Sequence, residues 1–160
     1  MRIATRALAS ALMISALYFV CTPAFGQAPL EEEDKRAPEV KKFVERYFST
    51  WSNNEMDAYA DCFLSDAVIQ FIDVKGQLQS QGKRSFIADQ RTVQARSPGL
   101  EVPETIDIRF EPNLARAVVY WKLTMNKRVE YGYDHFTLAR QDGKWKIVNL
   151  VFYKAPPAEE

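Results

Sequence analysis

Alternating apolar and polar positions predict a long β-hairpin between Lys127 and Lys154. Asp142-Gly143 separates its two strands, and Asp-Gly between alternating runs is typical of a tight hairpin turn. One face of the first strand carries Gly132, Asp134, Phe136 and Leu138, and the other carries Tyr131, Tyr133, His135 and Thr137. The second strand groups Val148, Leu150 and Phe152 on one face and Trp145, Ile147, Asn149, Val151 and Tyr153 on the other. Because both faces bear large side chains, we expect the sheet to be covered on both sides, by helices on one of them.

Helical spacing of apolar residues predicts three helices before this hairpin. Apolar residues recur three and four positions apart from Val40 to Trp51, and Pro38 suits the first position of that helix. Asn54 is the predicted cap of a second, short helix. Its apolar face consists of Met56, Tyr59, Ala60 and Phe63. Residues 83–96 form the third predicted helix.

Four more strands complete the predicted elements, over residues 67–73, 77–81, 104–111 and 115–125. Helices that come first and an antiparallel meander that comes last predict an α+β fold. We expect a curved, mixed, mainly antiparallel sheet wrapped around the N-terminal helices. The interior of such a cone is the natural place for a pocket.

The first residues of the chain differ from this pattern. Arg2 and Arg6 precede an apolar run over residues 7–20, and Ala24-Phe25-Gly26 offers small residues for a cleavage site. This order is typical of a secretory signal peptide over residues 1–26, because the apolar run is too short to span a membrane. We therefore expect a secreted or periplasmic protein that has no membrane association after cleavage.

The mature chain is predicted to have three parts. Residues 27–37 are polar and charged and predict a flexible linker, residues 38–154 form the folded domain, and residues 155–160 form a disordered tail. The roughly 134 residues that remain after cleavage carry 19 basic residues, because two arginines leave with the signal, against 21 acidic ones. The net charge is about −2, and no basic cluster indicates a nucleic-acid partner.

The two cysteines have separate interpretations. Cys21 falls within the signal segment, where lipid attachment is an open alternative although the residue before it is larger than usual. Cys62 then remains alone, and its simplest role is that of a small buried apolar residue. An intermolecular disulfide or a reactive thiol is the alternative.

No metal or cofactor is indicated. His135 is the single histidine, and strand alternation points it away from Asp134. Zinc sites need several spaced ligands. The sequence also has no Gly-rich phosphate loop, no Ser-His-Asp order and no Cys-His pair.

Three stretches resemble the nuclear-transport-factor-2-like superfamily, which includes ketosteroid isomerase and SnoaL-like polyketide cyclases. They are ERYFSTWSNNEMDAYADCFLSDAVIQF, the GKRSFI start of the third helix, and YDHFTLARQDGKWKIVNLVF. The last stretch is also similar to the lumazine-binding-like branch, in which a DGKWKIVN ending is typical. The resemblance covers about residues 38–154 and implies a cystatin-like cone. It is specific for fold rather than function, because the superfamily hosts isomerases, cyclases, dehydratases, binding modules and oligomerisation domains.

The resemblance implies roles for two residues. The isomerase pairs a tyrosine on helix one with a protonated aspartate in an Asp-His-Phe strand, and Tyr47 and Asp134 match those positions. A carboxyl in an apolar pocket has a raised pKa, stays neutral and donates a hydrogen bond to a developing oxyanion, as in that isomerase. Phe71 stands where the family's basic aspartate falls, and Asp73 lies two residues further on the same face. Asp73 is therefore the candidate general base, displaced towards the turn.

Each candidate also has a structural interpretation. Asp134 is alternatively a buried acid that bonds Tyr47 or a backbone amide and holds helix one on the sheet. Tyr47 is alternatively a packing residue with a satisfied hydroxyl. Asp73 also fits the first position of a β-turn that ends at Gly76. Trp121 fits a pocket wall and core packing equally well.

The predicted pocket is mainly aromatic, and we expect it to take a small apolar ligand. Its predicted lining is Tyr47, Trp51, Phe63, Phe71, Trp121, Asp134, Phe136 and Leu150. Tyr120, Tyr131, Tyr133 and Trp145 are predicted to lie on the outer face of the sheet. Exposed aromatic faces usually mark a partner surface, and the resemblance implies that this face is buried in a homodimer.

Three functions are compatible with these patterns. The preferred one is a secreted, homodimeric, non-catalytic small-molecule-binding or accessory domain, because the pocket combines one acid with no base. The second is an isomerase- or cyclase-type enzyme in which Tyr47 and Asp134 stabilise an enolate and Asp73 is the base. The third is a purely structural dimerisation module.

Overall fold

The computed structural model describes the backbone of residues 30–158 and the side chains of residues 35–158, so the predicted signal peptide lies outside the described residues. The helices are α1 (Leu30–Ser52), α2 (Met56–Asp61) and α3 (Lys83–Arg96). The strands are β1 (Phe63–Ile72), β2 (Leu78–Gly82), β3 (Gly99–Phe110), β4 (Leu114–Met125), β5 (Arg128–Gln141) and β6 (Lys144–Ala155). The predicted α+β class is confirmed. Within these bounds, none of the helices combines the length and apolar character that a membrane crossing needs.

The six strands form one sheet in the order β2-β1-β6-β5-β4-β3. Strands β1 and β6 run parallel, and the other neighbours pair antiparallel. The predicted mixed, mainly antiparallel sheet is thus confirmed. Because β1 returns beside the last strand, the helices that flank it along the chain are brought to the same face of the sheet as α1.

Helix α1 buries one stripe against the sheet. Its buried residues are Val40, Phe43, Val44, Tyr47, Phe48 and Trp51. They recur at the helical spacing read from the sequence. The helix begins at Leu30, so residues 30–37 are helical rather than a flexible linker, and Pro38 lies inside the helix rather than at its first position. The segment before Pro38 is rich in Glu, Lys and Arg, which are good helix formers, and this extends the helix.

Several turn residues have positive φ angles, in the left-handed region of backbone conformation. Asp142 (φ 51°) and Gly143 (φ 74°) form the predicted hairpin turn, in which both central residues require positive φ. Asn54 also has a positive φ, 59°, and its N–H donates to the carbonyl of Trp51 at 3.0 Å. Asn54 therefore ends α1 instead of capping α2, and Glu55 precedes α2 without a side-chain cap. The predicted cap is wrong because asparagine tolerates the left-handed conformation that ends helices.

A β-bulge in β6 changes which side chains face inward. Thr137 pairs with Asn149 but Leu138 pairs with Ile147, so Val148 is the extra residue. Trp145, predicted to lie outward, is consequently buried, with 7% of its surface exposed. Strict alternation across the bulge had assigned it to the wrong face.

The end of β6 continues onto the outer face of the sheet. The Tyr120 hydroxyl donates to the carbonyl of Pro156 at 3.2 Å, and the Ala158 N–H donates to that hydroxyl at 2.7 Å. Pro156 and Ala158 therefore pack on Tyr120, while residues 159–160 of the predicted tail lie outside the described residues. This explains why Tyr120, although on the outer face, is buried.

Candidate functional site

An aromatic-walled cavity of about 230 Å³ lies between the helices and the inner face of the sheet. Its lining from the helices is Tyr47, Trp51, Tyr59, Phe86, Gln90 and Val93. Its lining from the sheet is Glu101, Trp121, Leu123, Met125, Glu130, Asp134, Phe152 and Lys154. The cavity thus combines a large aromatic surface with three acidic residues and one lysine.

Asp134 lies at the wall of this cavity and is held by Trp121. The indole Nε1 of Trp121 donates to Oδ1 of Asp134 at 2.8 Å, and Asp134 is only 4% exposed. The two residues come from neighbouring strands, β4 and β5. The sequence analysis named Tyr47 or a backbone amide as the partner of Asp134, whereas its closest donor is Trp121, for which the pocket wall and the core had been equal alternatives.

Burial changes the acidity of Asp134. Loss of solvation is the largest cause and raises the pKa of its carboxyl to about 7, whereas hydrogen bonds from Trp121 and Tyr47 act in the opposite direction. Trp121 is the closer donor, and Tyr47 has the smaller effect. The carboxyl therefore changes its charge near neutral pH.

Glu101 is a second acid in the cavity, and the sequence analysis missed it. Burial, followed by the negative charge of Asp134, raises the pKa of Glu101 well above its ordinary value. It was missed because the predicted strand began at Glu104, whereas β3 begins at Gly99. The Leu100-Glu101-Val102 alternation was the available signal, but Pro103 argued against a strand. The structure accommodates Pro103 because β3 is an edge strand whose pairing shifts at that point.

The mouth of the cavity carries an ion pair. Lys154 Nζ lies 2.6 Å from Oε2 of Glu130, and both side chains are partly exposed. Glu130 and Glu101 lie in one cross-strand row, because both pair with positions at Leu123. The rim therefore carries an ion pair with the partly exposed Glu101 in the same row, while Asp134 is buried.

Two buried tyrosines and a tryptophan complete the polar network of the helical side. The Tyr59 hydroxyl donates to the Tyr47 hydroxyl at 3.0 Å, and burial raises the pKa of both. Trp51 Nε1 donates to Oε1 of Gln90 at 2.8 Å. Because Tyr47 accepts from Tyr59, its own proton stays available for a donation into the cavity.

The structure brings together only part of the predicted site. Tyr47, Trp51, Trp121 and Asp134 line the cavity. Phe63, Phe136 and Leu150 are buried in the core, each exposed by 2% or less. Phe71 stacks on Phe152, with ring centroids 5.8 Å apart, and lines a separate recess at the end of β1.

Asp73 is placed at the β1–β2 turn. Its Oδ1 accepts from the backbone N–H groups of Lys75 at 2.8 Å and Gln77 at 2.9 Å. It does not belong to the lining of the cavity. The geometry therefore fits the β-turn interpretation and leaves Asp73 away from Asp134.

The outer face of the sheet carries a ladder of tyrosines. Tyr120, Tyr133 and Tyr153 are cross-strand neighbours, and their successive ring centroids lie 5.1 and 5.7 Å apart. His135 lies beside them, with Nε2 3.2 Å from the Tyr153 hydroxyl, on the face away from Asp134 as predicted. Among the described residues, no three His, Cys, Asp or Glu side chains come together as metal ligands would.

Cys62 has no chemistry in the cavity. It is fully buried, and burial raises the pKa of its thiol to about 11. A thiol of this kind is inert as a nucleophile, which agrees with its interpretation as a small apolar residue.

Comparisons with known proteins support the fold and the family. The family described as “Putative lumazine-binding” matches residues 35–153. No curated protein matches this chain. A protein of unknown function from Mycobacterium tuberculosis is similar in structure with a TM-score of 0.69 and 16% identity, over 81% of this chain and 78% of that chain.

Two further solved structures are similar. An uncharacterised protein with a cystatin-like fold from Caulobacter vibrioides has a TM-score of 0.64 and 16% identity, over 77% of this chain and 92% of its own. A nuclear-transport-factor-2-like protein with a cystatin-like fold from Novosphingobium aromaticivorans has a TM-score of 0.64 and 12% identity, over 81% and 88%. At these identities the similarity shows the fold alone, so the predicted cystatin-like fold is confirmed, and the match over residues 35–153 confirms the predicted lumazine-binding-like branch.

Proposed function

This chain belongs to the lumazine-binding-like family, and from that premise we propose that it is a secreted, non-catalytic domain that binds a small flat molecule in the cavity beside Asp134. Small-molecule binding is the activity that the family description and the cavity have in common.

One observation carries the proposal: the cavity is open and aromatic, and its deepest acid is fixed by Trp121. Flat aromatic walls bind flat molecules by stacking and by removal of apolar surface from water. A cavity of about 230 Å³ also counts against a purely structural module, whose interior would be filled by side chains.

The acids of the cavity support binding rather than proton abstraction. Asp73 is outside the cavity lining, and Glu101 has a pKa well above its ordinary value. The carboxyl predicted to be the general base, Asp73, is held in a turn outside the cavity, and this supports binding over proton abstraction.

Native mass spectrometry of the protein purified from its own cell envelope tests the proposal. We expect a small molecule to be retained by the wild-type chain and lost in Val93→Phe, in which a larger side chain enters the cavity wall. Val74→Phe is the matched control, because Val74 is 93% exposed and lies in the β1–β2 turn. The proposal is contradicted if two results coincide. The wild type and Val74→Phe retain no molecule, and added flat aromatic compounds do not quench the fluorescence of Trp51 and Trp121.

Secretion is proposed from residues 1–26 alone. We expect cleavage after Gly26, which leaves all the residues that line the cavity in the mature chain. N-terminal sequencing of the exported protein checks this, and a chain that retains Arg2 and Arg6 in the cell envelope contradicts it. A mature chain that begins at Cys21 would instead favour lipid attachment at that residue.

A homodimer through the tyrosine ladder of the outer face is the third part of the proposal. Tyr133 and Tyr153 of the ladder are partly exposed, whereas Tyr120 is covered by Pro156 and Ala158, and the ladder extends across β4, β5 and β6. Surfaces of this kind are often buried against a second copy.

The enzyme alternative is still supported by one residue, Glu101, which is a candidate general base inside the cavity. With Glu101 in place of Asp73, the cavity holds a tyrosine, a neutral acid and a second carboxyl, which together resemble an enolate-stabilising site. Exchange of an acidic C–H of a bound ketone with deuterated water, lost in Glu101→Gln but kept in Asp73→Asn, would favour this alternative over simple binding.

A further inference from the structure

The hydrogen-bond donors of the cavity are already used by the protein. Trp121 Nε1 donates to Asp134, and Trp51 Nε1 donates to Gln90. The Tyr59 hydroxyl donates to Tyr47. A ligand therefore meets few donors, apart from the Tyr47 hydroxyl.

The acceptors, by contrast, are not satisfied. Among the side chains of residues 35–158, none completes a hydrogen bond to Oδ2 of Asp134 or to the carboxyl of Glu101, although the Tyr47 hydroxyl lies near enough to lower the pKa of Asp134. Neither carboxyl is among the buried polar groups without a partner, so both are reached from the cavity, and a ligand that displaces solvent there has to supply donors in its place. The cavity is therefore expected to bind a ligand that donates hydrogen bonds.

The charges of the residues that line the cavity also favour a ligand with hydrogen-bond donors. Three acids and one lysine line the cavity, and that lysine, Lys154, is paired with Glu130 at the mouth. Glu101 and Asp134 form no ion pair with a cation among the described residues. Two carboxyls in one site of low dielectric constant do not both ionise unless a positive charge is brought to them.

We propose that the ligand of this cavity is a flat heteroaromatic cation of the amidine or guanidine type, whose N–H groups bind the carboxylates of Asp134 and Glu101 and whose ring stacks between Trp51 and Trp121. A delocalised N–H cation matches a carboxylate by paired charge-assisted hydrogen bonds. Aromatic faces attract such a cation as well. An anionic ligand would meet three acids, and a neutral apolar ligand would displace solvent from the carboxyls of Asp134 and Glu101 without supplying donors.

This inference rests on the proposed function, and a probe series separates the two. The probes are 2-aminobenzimidazole in its protonated form, its neutral isostere benzimidazol-2-one, and 2-naphthoate as the anion. Binding to the mature protein is followed by Trp fluorescence, because two tryptophans line the cavity. One charge-assisted pair of hydrogen bonds makes the cation bind about ten-fold more tightly than the neutral isostere, with the anion weakest.

Isosteric variants identify the groups that hold the charge. Asp134→Asn and Glu101→Gln each reduce the affinity for the cation about ten-fold and leave the affinity for the neutral isostere nearly unchanged. An asparagine still offers an amide oxygen to Trp121 Nε1, so the wall is kept. Asp107→Asn is the control, because it removes the same charge from the same strand at an exposed position.

Proton release gives a second, independent readout. A cation that ionises the two acids displaces protons from them, so calorimetry near pH 6 in two buffers of different ionisation enthalpy shows proton release for the wild type. Asp134→Asn reduces that release.

Each outcome decides a different claim. Equal affinity for the cation and the neutral isostere, or preference for the anion, overturns the cation inference and leaves the binding proposal standing. Failure of all three probes to bind, in a protein that retains a molecule in native mass spectrometry, also overturns the inference. Failure of the probes together with an empty native spectrum overturns both.

Discussion

Trp121 packs directly onto Gly132, its cross-strand partner on β5. A Cβ atom at Gly132 would lie 2.2 Å from Cζ2 of Trp121 and 2.3 Å from the backbone oxygen of Tyr153. The missing side chain therefore creates the space in which the indole lies, and the indole in turn donates to Asp134 two residues further along β5. The geometry of the site thus depends on a glycine that takes no part in binding.

Gly132→Ala should destabilise the fold and displace Trp121. One of the two clashing groups is backbone, which cannot move aside cheaply, so we expect a loss of roughly 3 kcal/mol in the free energy of unfolding. Urea denaturation followed by fluorescence measures it. Gly82→Ala is the matched control, because a Cβ there meets nothing within 4 Å. Equal stability of the two variants would show that the indole does not need this space.

The stability of the protein should fall as the pH rises from about 4 to about 7. Asp134 has a pKa of about 7 in the folded chain against an ordinary value of 3.8, so in this window the folded state binds a proton that the unfolded state has lost. The free energy of unfolding then decreases by up to about 1.4 kcal/mol per pH unit and levels off above the folded pKa. Glu101 acts in the same direction.

Asp134→Asn removes the contribution of Asp134 to the pH dependence of the free energy of unfolding. The stability of the variant relative to the wild type should therefore increase between pH 5 and pH 8. Denaturation curves at the two pH values provide the comparison. The same stability difference at both would mean that Asp134 is not the group that titrates.

Tyr59→Phe should cost about 1 kcal/mol of stability, because it removes the buried hydrogen bond to Tyr47 and leaves that hydroxyl without its donor. Thermal or chemical denaturation measures the loss. Tyr131→Phe is the control, because Tyr131 lies on the outer face and its hydroxyl forms no hydrogen bond within residues 35–158. If Tyr131→Phe loses as much stability as Tyr59→Phe, the loss comes from removing a tyrosine hydroxyl in general and not from the hydrogen bond to Tyr47.

Local sequence signals were sufficient for most elements of the fold. The bounds of α3 were predicted to the residue, and the Asp142-Gly143 turn was identified because only a few dipeptides adopt its backbone angles. The parallel pairing of β1 with β6 follows from tertiary packing, and no local pattern specifies it. The inward position of Trp145 was missed for a related reason, since a single extra residue at Val148 reverses the alternation.

The candidate site was less predictable than the fold. Tyr47 and Asp134 were identified because the family resemblance points to them, and Trp51 and Trp121 because large aromatic residues on an inward face lie near any cavity. Phe63 and Phe136 share the same pattern and yet lie in the solid core. Which aromatic residue borders a cavity and which fills the core depends on side-chain volumes in three dimensions, and periodicity does not contain that information.

The tyrosine ladder of the outer face should determine the oligomeric state. Tyr133 is its central member, with ring centroids 5.1 Å from Tyr120 and 5.7 Å from Tyr153. Tyr133→Asp places a charge in the middle of the proposed interface, where burial without a partner is costly. We expect a dimer for the wild type and a monomer for this variant in sedimentation velocity. Val74→Asp, which adds the same charge at an exposed turn, should remain dimeric. A wild-type chain that is monomeric at high micromolar concentration, or a Tyr133→Asp variant that still dimerises, would assign the ladder a role other than self-association.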